Sequence, residues 1–115
     1  MKVKAIAKYT RTSPQKARLV IAQVRGKRAD DALVLLKFMP QAAARPVAKL
    51  IRSAIANAEE NYGLLRDDLY IASIFADDGP TFKRYRAGAR GRAKPILKRS
   101  SHLTVILEEK GSTES

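Results

Sequence analysis

The stretch KRYRAGARGRAKPILKR, residues 83–99, carries eight Lys or Arg in seventeen positions and no acid. Its few apolar residues are mostly Ala. On either side lie DLYIASIFA (68–76) and SHLTVILEE (101–109), two near-continuous apolar runs rich in β-formers. Such runs read as strands buried on both faces, and the first reads as a central strand. Two strands joined by about two dozen residues predict a long hairpin, each arm projecting about 35 Å at roughly 3.3 Å per residue. An isolated two-stranded hairpin is marginal in water, and like charges weaken it further. The arm is therefore expected to order only against a polyanion.

Five of the eight cations are Arg (Arg84, Arg86, Arg90, Arg92 and Arg99). Guanidinium groups grip phosphate bidentately and stack on bases, which fits RNA. Gly88, Gly91 and the alanines keep the arm thin. Phe82 and Tyr85 suit base stacking and packing at the hairpin base equally well. A basic loop without a ligand is the weaker reading, because long loops in compact domains are usually functional.

Outward from the arm, Val3, Ala5, Ala7 and Tyr9 alternate with Lys2, Lys4 and Lys8, the period-two pattern of a half-buried strand. Ser13-Pro14 predicts a helix start, with Ser as cap and Pro in the first turn. Ala17, Val20, Ile21 and Val24 follow at helical spacing, with Gly26 as the expected stop. Asp30 is expected to cap a second helix carrying Ala32, Leu33, Leu36 and Met39 and ended by Pro40. The third helix has an unbroken stripe, Val47, Leu50, Ile51, Ala54, Ile55 and Ala58, and ends near Asn61-Tyr62-Gly63. Arg45, Lys49 and Arg52 line another of its faces. The expected architecture is α+β: a small three-stranded antiparallel sheet on three helices, with a long protruding β-hairpin. A single domain spans 1–115, with the hairpin at 80–101 and a polar tail at 110–115.

The chain has 115 residues, 45% hydrophobic, a formal net charge of +12 and a pI near 10.4. A compact chain of that charge repels itself, so a polyanionic partner is expected. The charge is also segregated. Residues 1–28 hold nine cations and no acid, residues 29–78 five cations and eight acids, and residues 79–107 eight cations and no acid. Candidate RNA-binding residues are thus Lys2, Lys4, Lys8, Arg11, Lys16, Arg18, Arg25 and Lys27 in the first block. In the arm they are Lys83, Arg84, Arg86, Arg90, Arg92, Lys94, Lys98 and Arg99. There is no Cys, which excludes disulfides and thiolate metal sites. No apolar run reaches membrane-spanning length, and the N-terminus lacks a signal-peptide core.

Catalysis is not expected, nor is a cofactor or metal. His102 is the single His, at a strand start where a polar structural role fits best. The acids come as adjacent pairs near element ends, where caps and turns favour them. ARGRA lacks the spacing of a phosphate loop.

The order and spacing of SPQKARLV with RGK (13–20, 25–27), SAIANAEEN (53–61), DDGPTFKR (77–84), ARGRA (89–93) and KRSSHLTVIL (98–107) resemble a known family. It is bacterial-type large-subunit ribosomal protein twenty-two, and the likeness runs from about Val3 to Lys110. The resemblance implies a structural protein that binds large-subunit ribosomal RNA and supports subunit assembly. Its globular part would sit near the exit of the nascent-peptide tunnel, with the hairpin helping to line that tunnel. The implied partners are ribosomal RNA, neighbouring large-subunit proteins and the nascent polypeptide, with no membrane and no homo-oligomer. The implied location is cytoplasmic ribosomes, or an organelle stroma or matrix if organelle-encoded. An equal-armed hairpin has its midpoint near Arg90-Gly91, and the resemblance assigns Arg90, Gly91, Arg92 and Ala93 to the tunnel wall. Ala87-Gly88 stands where the family commonly has Pro-Arg. Arg86, two positions away on the same side of a strand, is the expected substitute contact. A free-standing nucleic-acid chaperone is the alternative function. A membrane-surface protein is a weaker one, since no apolar face accompanies the basic run.

Overall fold

The computed structural model describes residues 2–79, 82–87, 93–98 and 100–109. Five strands and three helices run in the order β1 (Lys2–Thr10), α1 (Pro14–Val24), α2 (Ala29–Lys37), α3 (Ala44–Tyr62), β2 (Leu69–Asp78), β3 (Phe82–Ala87), β4 (Ala93–Lys98) and β5 (Ser101–Glu109). A single 3-10 turn, Arg66–Asp68, precedes β2. The main sheet is antiparallel with order β1-β5-β2, and β3 pairs with β4 in a second, two-stranded sheet. The architecture is the expected α+β one.

Local chemistry explains most of the boundaries. Ser13 has extended backbone and its hydroxyl accepts from the Lys16 N–H, while Pro14 occupies the first turn of α1. Gly63 ends α3 in the left-handed region at φ 63°, a conformation that costs glycine little. The α3 stripe is buried along its whole length, from Val47 to Ala58. It packs on inward residues of the sheet: Val3 of β1, Leu103, Val105 and Leu107 of β5, and Leu69, Ile71, Ile74 and Ala76 of β2. Val20, Ile21 and Val24 of α1 complete the core.

Three expectations need correction. The 68–76 run forms an edge strand, and β5 is the central one. Asp30 does not cap α2, which starts at Ala29 after an extended Arg28 without a side-chain cap bond. Arg28 is held there by an isolated bridge to Tyr70. Asp30 instead lies in the first turn, where its charge favours the helix dipole. It accepts a hydrogen bond from Arg66, which raises the Arg66 pKa further. Finally, α2 ends at Lys37, so Met39 is half-buried beyond it. Gly26 does act as the expected stop of α1, following the Arg25 cap with φ 80°, the left-handed position that favours glycine.

An apolar edge strand invites pairing with another chain, and here the outer edge of β2 is covered. The Ile71 N–H donates to the Lys27 carbonyl at 2.8 Å. A bulge between Ile71 and Ser73 then resets the register. Beyond it, Arg25 Nη2 donates to the Ile74 carbonyl at 3.1 Å. Arg18 donates to the Ala76 carbonyl through Nε at 3.2 Å and Nη2 at 2.8 Å. Arg18 and Arg25 lie two turns apart on one side of α1, as Ile74 and Ala76 share one side of β2, so the helix presents donors along the strand.

Past this edge the chain leaves the core. The Gly79 N–H donates to the Ser100 carbonyl at 3.1 Å, and a Cβ on Gly79 would stand 2.6 Å from Ser100 Oγ. The two chains at the root of the hairpin therefore approach too closely for a side chain at Gly79. β3 and β4 then pair from Phe82↔Lys98 to Ala87↔Ala93, a register symmetric about position 90. The molecule measures 67 × 26 × 23 Å.

Ile51→Ala removes a fully buried side chain and is expected to lower unfolding stability by about 3 kcal/mol. The exposed neighbour substitution Arg52→Ala should stay within about 0.5 kcal/mol; urea unfolding measures both. Arg25→Met strips the Ile74 carbonyl of its donor and should cost about 1 kcal/mol. Lys16→Met, on the same helix without such a bond, should cost no more than a few tenths.

Candidate nucleic-acid interface

The candidate cations fall into three groups. The first lies on β1. Lys2, Lys4 and Lys8 are exposed. Lys2 and Lys4 alternate with inward Val3 and so lie on the side of the sheet away from the helices, and Lys8 stands at the register shift between Ala7 and Thr10. Lys2 Nζ lies 3.9 Å from Glu108 Oε1, so it partly neutralises an acid, while Lys4 and Lys8 have no ion pair among the described residues. Burial of Glu108 is completed by Tyr70, whose hydroxyl donates to Oε2 at 2.8 Å.

The second group surrounds α1. Arg11 and Lys16 border a hollow of about 460 Å³ together with Leu19 and Gln41. Lys27 is exposed after the helix. Arg18 and Arg25 differ from these, because their guanidinium groups hold the edge of β2. Arg18 also lies 4.0 Å from Asp78 Oδ1. Its side chain keeps more than half its surface exposed, and the bonds to Ala76 use only Nε and Nη2.

The third group is the arm. The β3–β4 register sets Arg84 opposite Ile96, Arg86 opposite Lys94 and Phe82 opposite Lys98. Opposed residues share a face in an antiparallel ladder, so the register collects positions 84, 86, 94 and 98 in one alternating set. Positions 83, 85, 87, 93, 95 and 97 form the other set, with Lys83 its only cation. Ala93 is the first residue of β4. Arg90, Gly91, Arg92 and Arg99 lie outside the described residues, as does the 110–115 tail.

Some basic residues escaped the sequence reading as site candidates. Arg28 approaches Asp67, with Nη2 at 3.3 Å from its carbonyl and 3.9 Å from Oδ1. Arg45, Lys49 and Arg52 border a trough of about 1250 Å³ between α2 and α3, with Lys37 on its other wall. Their i, i+4, i+7 spacing was the available signal. Among the described residues no group of His, Asp and Glu could hold a metal ion, and no helix is long and apolar enough to cross a membrane.

The arrangement suits a long anion better than a small one, because its cations extend along a strand, a helix and a ladder and do not converge on one point. Comparison with known proteins agrees in kind. The family described as Ribosomal protein L22p/L17e matches residues 5–108. The chain is 51% identical over 110 residues to the large ribosomal subunit protein uL22 of Finegoldia magna, covering 96% of this chain and 98% of that protein. It is 52% identical over 110 residues to the protein of that name in Thermoanaerobacter sp. (strain X514), covering 96% and 99%. With that of Synechococcus sp. (strain JA-3-3Ab) it shares 54% over 105 residues, covering 91% and 85%. Matched along nearly all of its length, and carrying the fold and charge distribution described above, the chain belongs to the L22p/L17e family of ribosomal proteins.

Proposed function

We propose that the chain is a structural, non-catalytic constituent of the large ribosomal subunit that binds large-subunit ribosomal RNA and works in translation. One domain, 1–115, carries the hairpin 80–101 as its RNA-penetrating arm and 110–115 as a tail. The observation that carries this reading is the β3–β4 register. It brings Arg84, Arg86, Lys94 and Lys98 into one alternating set of a ladder that contains no acid. A double row of cations along a thin two-stranded ladder matches the phosphates of folded RNA. Lys4, Lys8, Arg11, Lys16 and Lys27 extend the contact over the globular part, and Arg18 contributes through the exposed part of its side chain. The tip, Arg90, Gly91, Arg92 and Ala93, lines the nascent-peptide tunnel, where small residues leave the passage open and Arg anchors to phosphate. Its partners are ribosomal RNA, neighbouring large-subunit proteins and the nascent chain, and it acts as a single copy in ribosomes of the cytoplasm or of an organelle.

The test is the salt dependence of binding to large-subunit ribosomal RNA. Each neutralised phosphate contributes about −0.7 to −0.9 to the slope of log affinity against log salt. Replacing Arg84, Arg86, Lys94 and Lys98 together by Gln is expected to make the slope shallower by about three, with thermal unfolding unchanged. An unchanged slope would move the RNA contact to β1 and α1 and overturn the arm assignment.

A further inference from the structure

All three helices pack on one face of the β1-β5-β2 sheet, and no described element covers the other. The register orders that open face in rows. Lys2, Glu108 and Tyr70 form one, Lys4, Ile106 and Ser73 the next, and Ile6, Thr104 and Phe75 the third. Ile6 is 48% exposed and Phe75 39%, while Thr104 between them is 5% exposed. Two tall apolar side chains thus flank a short one, about 10 Å apart across three strands. Lys4 and Lys8 bracket Ile6 along β1, and neither is in an ion pair with a described residue.

We propose that this open face is a second nucleic-acid site, in which an unpaired RNA base stacks on Phe75 above Thr104 and Ile6, with its phosphates held by Lys4 and Lys8. The inference rests on the RNA-binding reading above, which already uses Lys4 and Lys8, and adds Ile6, Phe75 and Thr104 to it. Sheet surfaces bind unpaired nucleotides where exposed aromatics supply a stacking plane and flanking cations supply the phosphate contact. Both features are present in adjoining rows. The acid within the rows, Glu108, does not oppose an anion here, because Lys2 and Tyr70 both engage it. Asp77 follows Phe75 on the same side of β2, opposite His102, and Lys8 stands level with that row at the β1 register shift, so a cation as well as an acid borders the stacking plane there. An acidic protein surface would satisfy Lys4 and Lys8 but would leave the Phe75 ring without a planar partner, so a base is the better occupant.

The probe is hexa-adenylate, titrated into the full chain labelled at Ile methyls and Phe rings. Ring currents from a stacked base should shift the Phe75 ring and the Ile6 and Ile106 methyl resonances upfield. Phe75→Leu should weaken hexa-adenylate binding about tenfold, the loss of one base stack, and Phe75→Tyr should restore it. Thermal unfolding of both variants confirms that the fold is kept. Lys4→Gln should make the salt dependence shallower by about one contact while the upfield shifts remain. Saturating hexa-adenylate that leaves Ile6 and Phe75 unmoved, or Phe75→Leu binding like the parent chain, would overturn the stacking site. Intact salt-dependent binding of ribosomal RNA in that case would leave the arm reading standing. Loss of all RNA binding at low salt would overturn both.

Discussion

Everything in this fold hangs on β5. Among the described strands it is the one with a strand on each side, β1 and β2. Its inward residues Leu103, Val105 and Leu107 are fully buried against the helices. Fully burying a side chain of this size is worth about 1.5–3 kcal/mol, so the three inward residues anchor the strand firmly to the helices. The arm grows from the gap between β2 and β5, and the Gly79–Ser100 contact draws its two chains together at the point of departure. A weak two-stranded ladder is thereby rooted in a well-buried part of the sheet.

The net charge of +12 must be endured by this small core before RNA arrives. The ion pairs offer little relief. Lys2–Glu108, Arg18–Asp78, Arg28–Asp67 and Arg66–Asp30 all involve side chains with considerable exposure, and surface pairs of that kind contribute little. What protects the fold is placement. The near-neutral middle of the chain contains α2, α3 and β2, whose apolar faces form most of the core, whereas the acid-free segments lie along β1, α1 and the arm. Repulsion is thus concentrated where an RNA surface can relieve it.

Features governed by local chemistry were legible in the sequence. The Ser13-Pro14 cap, the α3 stripe, the Gly63 stop and the 101–109 strand need only a few consecutive residues to define them. Features set by distant partners were not. The 68–76 run reads as a central strand because Phe75 and Tyr70 are apolar, yet both lie on the open face and the strand's outer edge is closed by residues of α1 and its flank. Arg18 and Arg25 read only as candidate RNA contacts, because the carbonyls they hold are 58 and 49 residues away. The start of α2 lies beside the Arg28–Tyr70 bridge, a contact between distant residues that no local pattern at Asp30 announces. In the arm, composition pointed to RNA, but only the register shows which cations share a side.

The position of β5 also has a consequence in time. The centre of the sheet is the last strand in chain order, and β1, which it must meet, is the first. Neither β1 nor β2 has a neighbour in the main sheet until residues 101–109 exist. A chain growing from its N-terminus can wind its helices but cannot close its sheet, and closure then requires a loop of nearly the whole chain. Such long-range pairing is slow compared with helix formation. Until it occurs, Val3, Ile71 and Ile74 remain in water on a strongly cationic polymer. The charge that burdens the finished core serves a purpose in that interval, because it keeps unfinished chains from associating through their open strands.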